Sequence, residues 1–247
     1  AAWRVGRLRA ELPALAAGTA ARVDADLAAV PPLPDLTDAE LAAALHWTRA
    51  TLTALHGLEA LAGTIAGGGG PGGATAAAHG LAALSRGRAR GHDDARIIAT
   101  APDVLTLTPP AICPARPLPP TAPSARPEAV RNPGVRPDGS GARAEGGGLP
   151  AREELRLRIR WVQELGARVA WTAGVRLAEG GALARAELVR ALRLEELVAA
   201  LYGGALPADL ERRPAPPRTA PLPAAFRLAG ERIVAEAAPP GDGARPA

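Results

Sequence analysis

From residue 41 onward, Leu41, Leu45, Thr48, Leu52 and Leu55 recur at alternating steps of four and three. That spacing keeps one face of an α-helix apolar, and the stripe reaches about Ile65. Thr37 stands just before it with Glu40 three residues later, a capping-box pattern, and Leu36 and Leu41 are placed to staple the first turn. The run "GGGGPGG" (67–73) ends this helix. Upstream, apolar positions from Trp3 to Leu27 predict a helix over 2–29, in which Pro13 marks a break or a fresh first turn, followed by the stiff connector "VPPLPD" (30–35). Downstream, "ATAAAHGLAALSRG" predicts a weaker helix, and "DDARIIATAPDVLTL" a short one capped by Asp93 or Asp94.

After Thr108 the pattern stops. Residues 109–150 are dense in proline and glycine and have few bulky apolar side chains, so they predict a disordered or extended insert. A long helix then runs from about Ala151 to Glu179, ending at Gly180–Gly181. At about 100° per residue, Leu155, Ile159, Val162, Gly166, Val169, Ala173 and Leu177 fall within roughly 80° of arc. Leu157, Trp161, Glu164, Arg168, Trp171 and Val175 occupy the opposite side within a similar arc of roughly 80°. A helix apolar on two sides belongs in the middle of a bundle. Two short helices follow, closed by Gly203–Gly204, and "AAFRLAGERIVAE" predicts a small hairpin about Ala229–Gly230. The expected fold is mainly α: a helical bundle with one long central helix, a Pro/Gly-rich disordered insert and a small C-terminal β-hairpin. Its parts are an N-terminal helical half (1–108), the flexible linker (109–150), the long and short helices that complete the bundle (151–204), and a Pro-rich connector with the hairpin (205–247).

Composition sharpens this picture. Only six of 247 residues are aromatic, so the core must be packed with aliphatic side chains, which favours helices over a sandwich or barrel. Lysine is absent and all 29 basic residues are arginine, a bias that suits a GC-rich genome. The net charge is only +4, with arginines and carboxylates interspersed, which argues against nucleic-acid binding. The single cysteine, Cys113, excludes an internal disulfide and a paired-cysteine metal site. No eighteen-residue apolar run and no signal-peptide pattern occur, so a cytoplasmic protein away from the membrane is expected. The opening and closing stretches read as those of a piece of something longer.

Catalytic chemistry is sparse. Without lysine there is no phosphate-loop lysine and no Schiff base, and no HExxH or GxSxG motif occurs. His46 and His56 stand ten apart, the wrong spacing for zinc ligands on one helix face. No catalytic residue and no metal ligand are assigned. The one distinctive group is Trp161, Glu164, Arg168 and Trp171, a charge pair at i, i+4 between two indoles about 15 Å apart along the helix. Two uses are open to it: plain interdomain packing, or the wall of a substrate pocket in which rigid aromatic area meets fixed charge.

The string "REELRLRIRWVQELGARVAWTAGVRLAEGGAL" (152–183) with "LRLEELVAAL" (192–201) resembles the helical middle region of phosphoenolpyruvate-utilising phosphotransferases, the group of phosphoenolpyruvate synthase and rifampin phosphotransferase. The stretch from "ELPALAAGTAARVDADL" to "LHGLEALAG" is similar to the preceding helices of that region. The resemblance covers most of the chain apart from 109–150. It implies a helical region that links an ATP-grasp domain to a phosphohistidine domain and holds an apolar acceptor, with ATP and Mg2+ belonging to the parent enzyme. It supplies no catalytic residue, because the chain lacks the Ser-His hallmark of the phosphohistidine domain and the ATP-grasp half. Such a region is not catalytic by itself. The competing expectations are a stand-alone helical interaction module without enzymatic activity, and a partly mistranslated GC-rich reading frame.

Overall fold

Three apolar clusters organise the chain, and the longest helix joins them. The computed structural model describes residues 2–65, 75–114, 117–120, 149–213, 226–229 and 232–235, and its side chains apart from those of 2–5, 65 and the two last stretches. The helices are α1 (Ala2–Ala28), α2 (Asp38–Ile65), α3 (Ala76–Ala89), α4 (Asp94–Thr100), α5 (Ala151–Glu179) and α6 (Leu194–Leu201). Short 3-10 turns lie at Leu33–Asp35, Pro102–Leu107, Ala186–Ala191 and Leu210–Arg212. The fold is mainly α. Strands β1 (Phe226–Ala229) and β2 (Arg232–Ala235) run antiparallel, with Phe226 opposite Ala235.

The sequence stripe on α5 is its core face. Leu155, Ile159 and Val162 pack with Leu12, Ala16 and Val23 of α1 and Leu55 of α2. Further along, Val169 and Ala173 join Leu41 and Leu45 of α2, Leu197 and Leu201 of α6, and Val189 between them. Burial of each such leucine or valine contributes about 1.5–3 kcal/mol, which is what fixes α5 as the axis. The third cluster, with Leu84, Ile97 and Val104, sits beside α5 and meets it through the turn Pro102–Leu107. There α3 lies so close that a Cβ on Gly80 would come within 2.7 Å of the Asp103 carbonyl oxygen. No helix among the described residues is long and apolar enough to cross a membrane.

Helix ends follow local chemistry. The Thr37 amide donates to Glu40 Oε2 (2.7 Å) and the Glu40 amide donates to Thr37 Oγ1 (3.2 Å), while Leu36 and Leu41 are both buried in one cluster. These contacts hold the Glu40 carboxyl below its ordinary range, the Thr37 amide being the main cause. Asp93, rather than Asp94, caps α4 by accepting from the Arg96 amide at 2.7 Å. Helix α5 closes with Gly181 at φ 75°, the Ala182 amide reaching back to the Leu177 carbonyl and the Gly181 amide to that of Ala178.

Two expectations need correction. Helix α1 continues through Pro13 without a break. The helix stays whole because Leu12, Ala16 and Val23 on either side of the proline form one buried stripe, which offsets the hydrogen bond that proline removes. The stretch after Thr108 does not begin as a loose linker either. Ile112 packs on the core, Leu118 is 5% exposed in the third cluster, and its amide donates to Asp94 Oδ2 at 2.8 Å. Two apolar side chains and one half-buried carboxylate suffice to dock this Pro-rich strap, and composition averaged over 42 positions obscured them. The rest of the expected insert lies outside the described residues, as do the 67–73 glycines and the turn between the two strands.

Candidate functional site

Arginines brace α5 against its neighbours. Arg158 makes a two-pronged contact with Asp24 of α1 (3.0 and 2.7 Å), and Arg152 and Arg156 both bind Glu59 of α2 (2.7 and 3.1 Å). The two guanidiniums, that of Arg152 foremost, lower the Glu59 pKa. Arg160 is 7% exposed and points the other way. Its Nε donates to the Thr108 carbonyl (2.9 Å) and its Nη2 to Glu164 Oε2 (3.0 Å). The second Glu164 oxygen accepts from Arg168 Nε at 3.1 Å. Glu164 is thus shared by an inner and an outer arginine, a charge cluster one step richer than the pair the sequence suggested.

Glu164, Arg168 and Trp171 come together on one cavity of about 840 Å³. Its other walls are Pro32–Pro34, the outward side of α4 and the docked strap, including Cys113, Pro114 and Leu118. Asp94 lines it as well, held by Arg88 and by the Leu118 amide. The result is an apolar hollow with a carboxylate, a guanidinium and an indole on its α5 wall and a second carboxylate on its α4 wall. Such a wall can hold an amphipathic small molecule by area and orient it through a hydroxyl or amine.

Trp161 does not belong to it. Its indole nitrogen donates to the Pro102 carbonyl (3.1 Å), and Arg158 lies over the ring at 5.1 Å. Both indoles lie on α5, but ten residues of rise carry them to different neighbours. Trp161 meets the Pro102–Leu107 turn, and Trp171 meets the cavity. Sequence reasoning missed Asp94, Cys113 and the Pro32–Pro34 wall. The only early signal of Cys113 and the Pro32–Pro34 wall was a proline-rich composition shared with solvent-exposed linkers, and Asp94 stood out only as a helix-cap candidate.

A second cavity, of about 860 Å³, opens on the other side of the strap between α2 and α5. Leu45, Leu52, Ile112 and Leu194 supply apolar wall, and Arg49, His56, Gln163 and Arg190 the polar part. Arg190 Nε donates to the Ile112 carbonyl at 2.7 Å, pinning the strap between the two hollows, and its guanidinium lies 6.0 Å from the Trp171 ring centre. No cluster of histidine, cysteine and carboxylate side chains suited to a metal ion occurs among the described residues. No protein-family model, curated protein or solved structure matches the chain.

Proposed function

We propose that this chain is the helical, acceptor-binding region of a phosphoenolpyruvate-utilising phosphotransferase, and that the cavity beside Trp171 receives the acceptor. The observation that carries the binding role is the convergence of Trp171, Glu164 and Arg168 on one space of about 840 Å³, a size within the usual range of small-molecule pockets. The phosphotransferase setting rests on the order of the helical motifs in the sequence. In that setting the ATP-grasp and phosphohistidine domains of the parent enzyme supply ATP, Mg2+ and the travelling phosphoryl group. The chain's own task is to hold an apolar acceptor and to space the two centres, in the cytoplasm.

The test is isothermal titration of the purified chain with rifampin, the acceptor named by the resemblance, alongside thermal melts. Saturable binding is expected, weakened at least tenfold by Trp171→Ala, whose melting temperature stays within a few degrees of the parent. Trp171 is only half-buried, so its removal leaves the core in place. Absence of saturable binding overturns the acceptor role. If Trp171→Ala loses binding only because it unfolds, Trp171 is a packing residue.

A further inference from the structure

We propose that the second cavity, between α2 and α5, is a separate site for an amphipathic anion, namely a medium-chain carboxylate with its chain inside and its head group at the rim. Several observations carry this. The walls are overwhelmingly apolar, and Gly166 and Ala167 leave the floor of α5 without bulk. The volume of about 860 Å³ is that of a pocket for a drug-sized molecule.

Charge then selects the class of occupant. No aspartate or glutamate lines this cavity, whereas Asp94 and Glu164 line the one beside Trp171. The ionised groups here are Arg49 and Arg190, both exposed and so placed at the rim, with His56 beside them. Arg49 is paired with Glu195, which lies outside the lining. Arg190 gives its Nε to the Ile112 carbonyl and its face to Trp171, and neither contact neutralises its charge. A carboxylate at the rim supplies what Arg190 lacks, and Arg is suited to receive it through paired N–H donors. The same site disfavours an ammonium head, which would meet a like charge. Charge therefore separates the two hollows: the cavity beside Trp171 sets two carboxylates beside the Arg168 guanidinium, and this one offers guanidinium to an acid with no carboxylate in its lining.

The experiment is isothermal titration of the full chain, below micelle-forming concentrations, with decanoate, decanol and decyltrimethylammonium. Decanoate is expected to bind saturably, with decyltrimethylammonium at least tenfold weaker. Arg190→Gln should weaken decanoate about tenfold and leave decanol unchanged. Thr53→Trp, at an exposed position on the lining, should block decanoate and decanol alike. Should Arg190→Gln fail to fold, Arg49→Gln provides the second reading of the rim charge, with a smaller loss expected in the same direction. Equal affinity for the three head groups, or decanoate binding unaffected by Thr53→Trp, overturns the site. Rifampin titration of Thr53→Trp keeps the two proposals apart, because the cavity beside Trp171 does not include Thr53.

Discussion

Trp161 and Trp171 have the same side-chain chemistry, sit on the same helix face and have different work. Trp161 spends its indole N–H on the Pro102 carbonyl and its face on Arg158, both inside the fold. Trp171 lines a cavity. Replacing Trp161 by Phe removes one hydrogen bond and keeps most of the ring area, so a loss of about 1 kcal/mol in urea unfolding is expected. Ligand binding at the cavity should not change. A Trp161→Phe protein of undiminished stability but weakened rifampin binding would place that residue in the site after all. Glu164 is the more exposed risk to stability, because it is the counter-ion of an arginine that is 7% exposed. Glu164→Gln replaces one charged hydrogen-bond partner of that guanidinium by a neutral one, and a cost of about 1.5–3 kcal/mol is expected, the range for a hydrogen bond to a charged group. A near-neutral result in the same unfolding measurement would mean that water reaches Arg160 freely.

At the level of elements, the sequence was most readable where a local rule and a burial pattern agreed. Helix α2 shows this: the 4-3 spacing, the Thr37–Glu40 box and the Leu36–Leu41 staple all specify the same start, and all are present. Helix α5 shows it again at its far end, where Gly180–Gly181 supplies the left-handed residue that a side chain would strain. Pro13 misled because a local rule stood alone against a tertiary stripe that composition could not weigh. The strap after Thr108 misled for the opposite reason, since two docked side chains outweigh a long run of linker-like neighbours. Helix α6 carries a pH signature of its own. Glu196 accepts two hydrogen bonds from Arg213 (2.6 and 2.9 Å) and one from the Arg193 amide (2.8 Å). Arg213 first, and that amide second, lower its carboxyl from 4.5 to about 2, and the same pair raises Arg213. A carboxyl depressed in the fold stabilises it fully above about pH 4.5 and loses that contribution as pH falls toward 2. Urea midpoints at pH 6 and pH 3 should therefore differ less for Glu196→Gln than for the parent chain. Identical pH dependence in the two proteins would mean that this carboxylate is equally well satisfied in the unfolded chain.

For the whole molecule, what the sequence could not convey is the meeting of distant segments. The cavity beside Trp171 is assembled from 32–34, 94–99, 105–114, 117–118 and one side of α5. No periodicity links these stretches, and only the α5 wall has a pattern that identifies it in advance. The same assembly bears on catalysis. Arg156, Arg158 and Arg160 crowd into five residues of sequence, yet the fold sends them to Glu59, Asp24 and Glu164 in three directions. Phosphoryl transfer needs cationic donors converging on one group, and here two of these arginines brace α5 against α2 and α1 while the third holds Glu164 and the Thr108 carbonyl. The 247-residue chain alone should therefore consume no ATP in the presence of Mg2+, as measured by ADP release over hours against a buffer control. The same chain joined to an ATP-grasp domain and a phosphohistidine domain should consume it only when acceptor is present. ADP release by the chain alone, abolished by Arg168→Gln but not by Arg156→Gln, would put phosphate chemistry in the cavity beside Trp171 and make that hollow an active site rather than an acceptor seat.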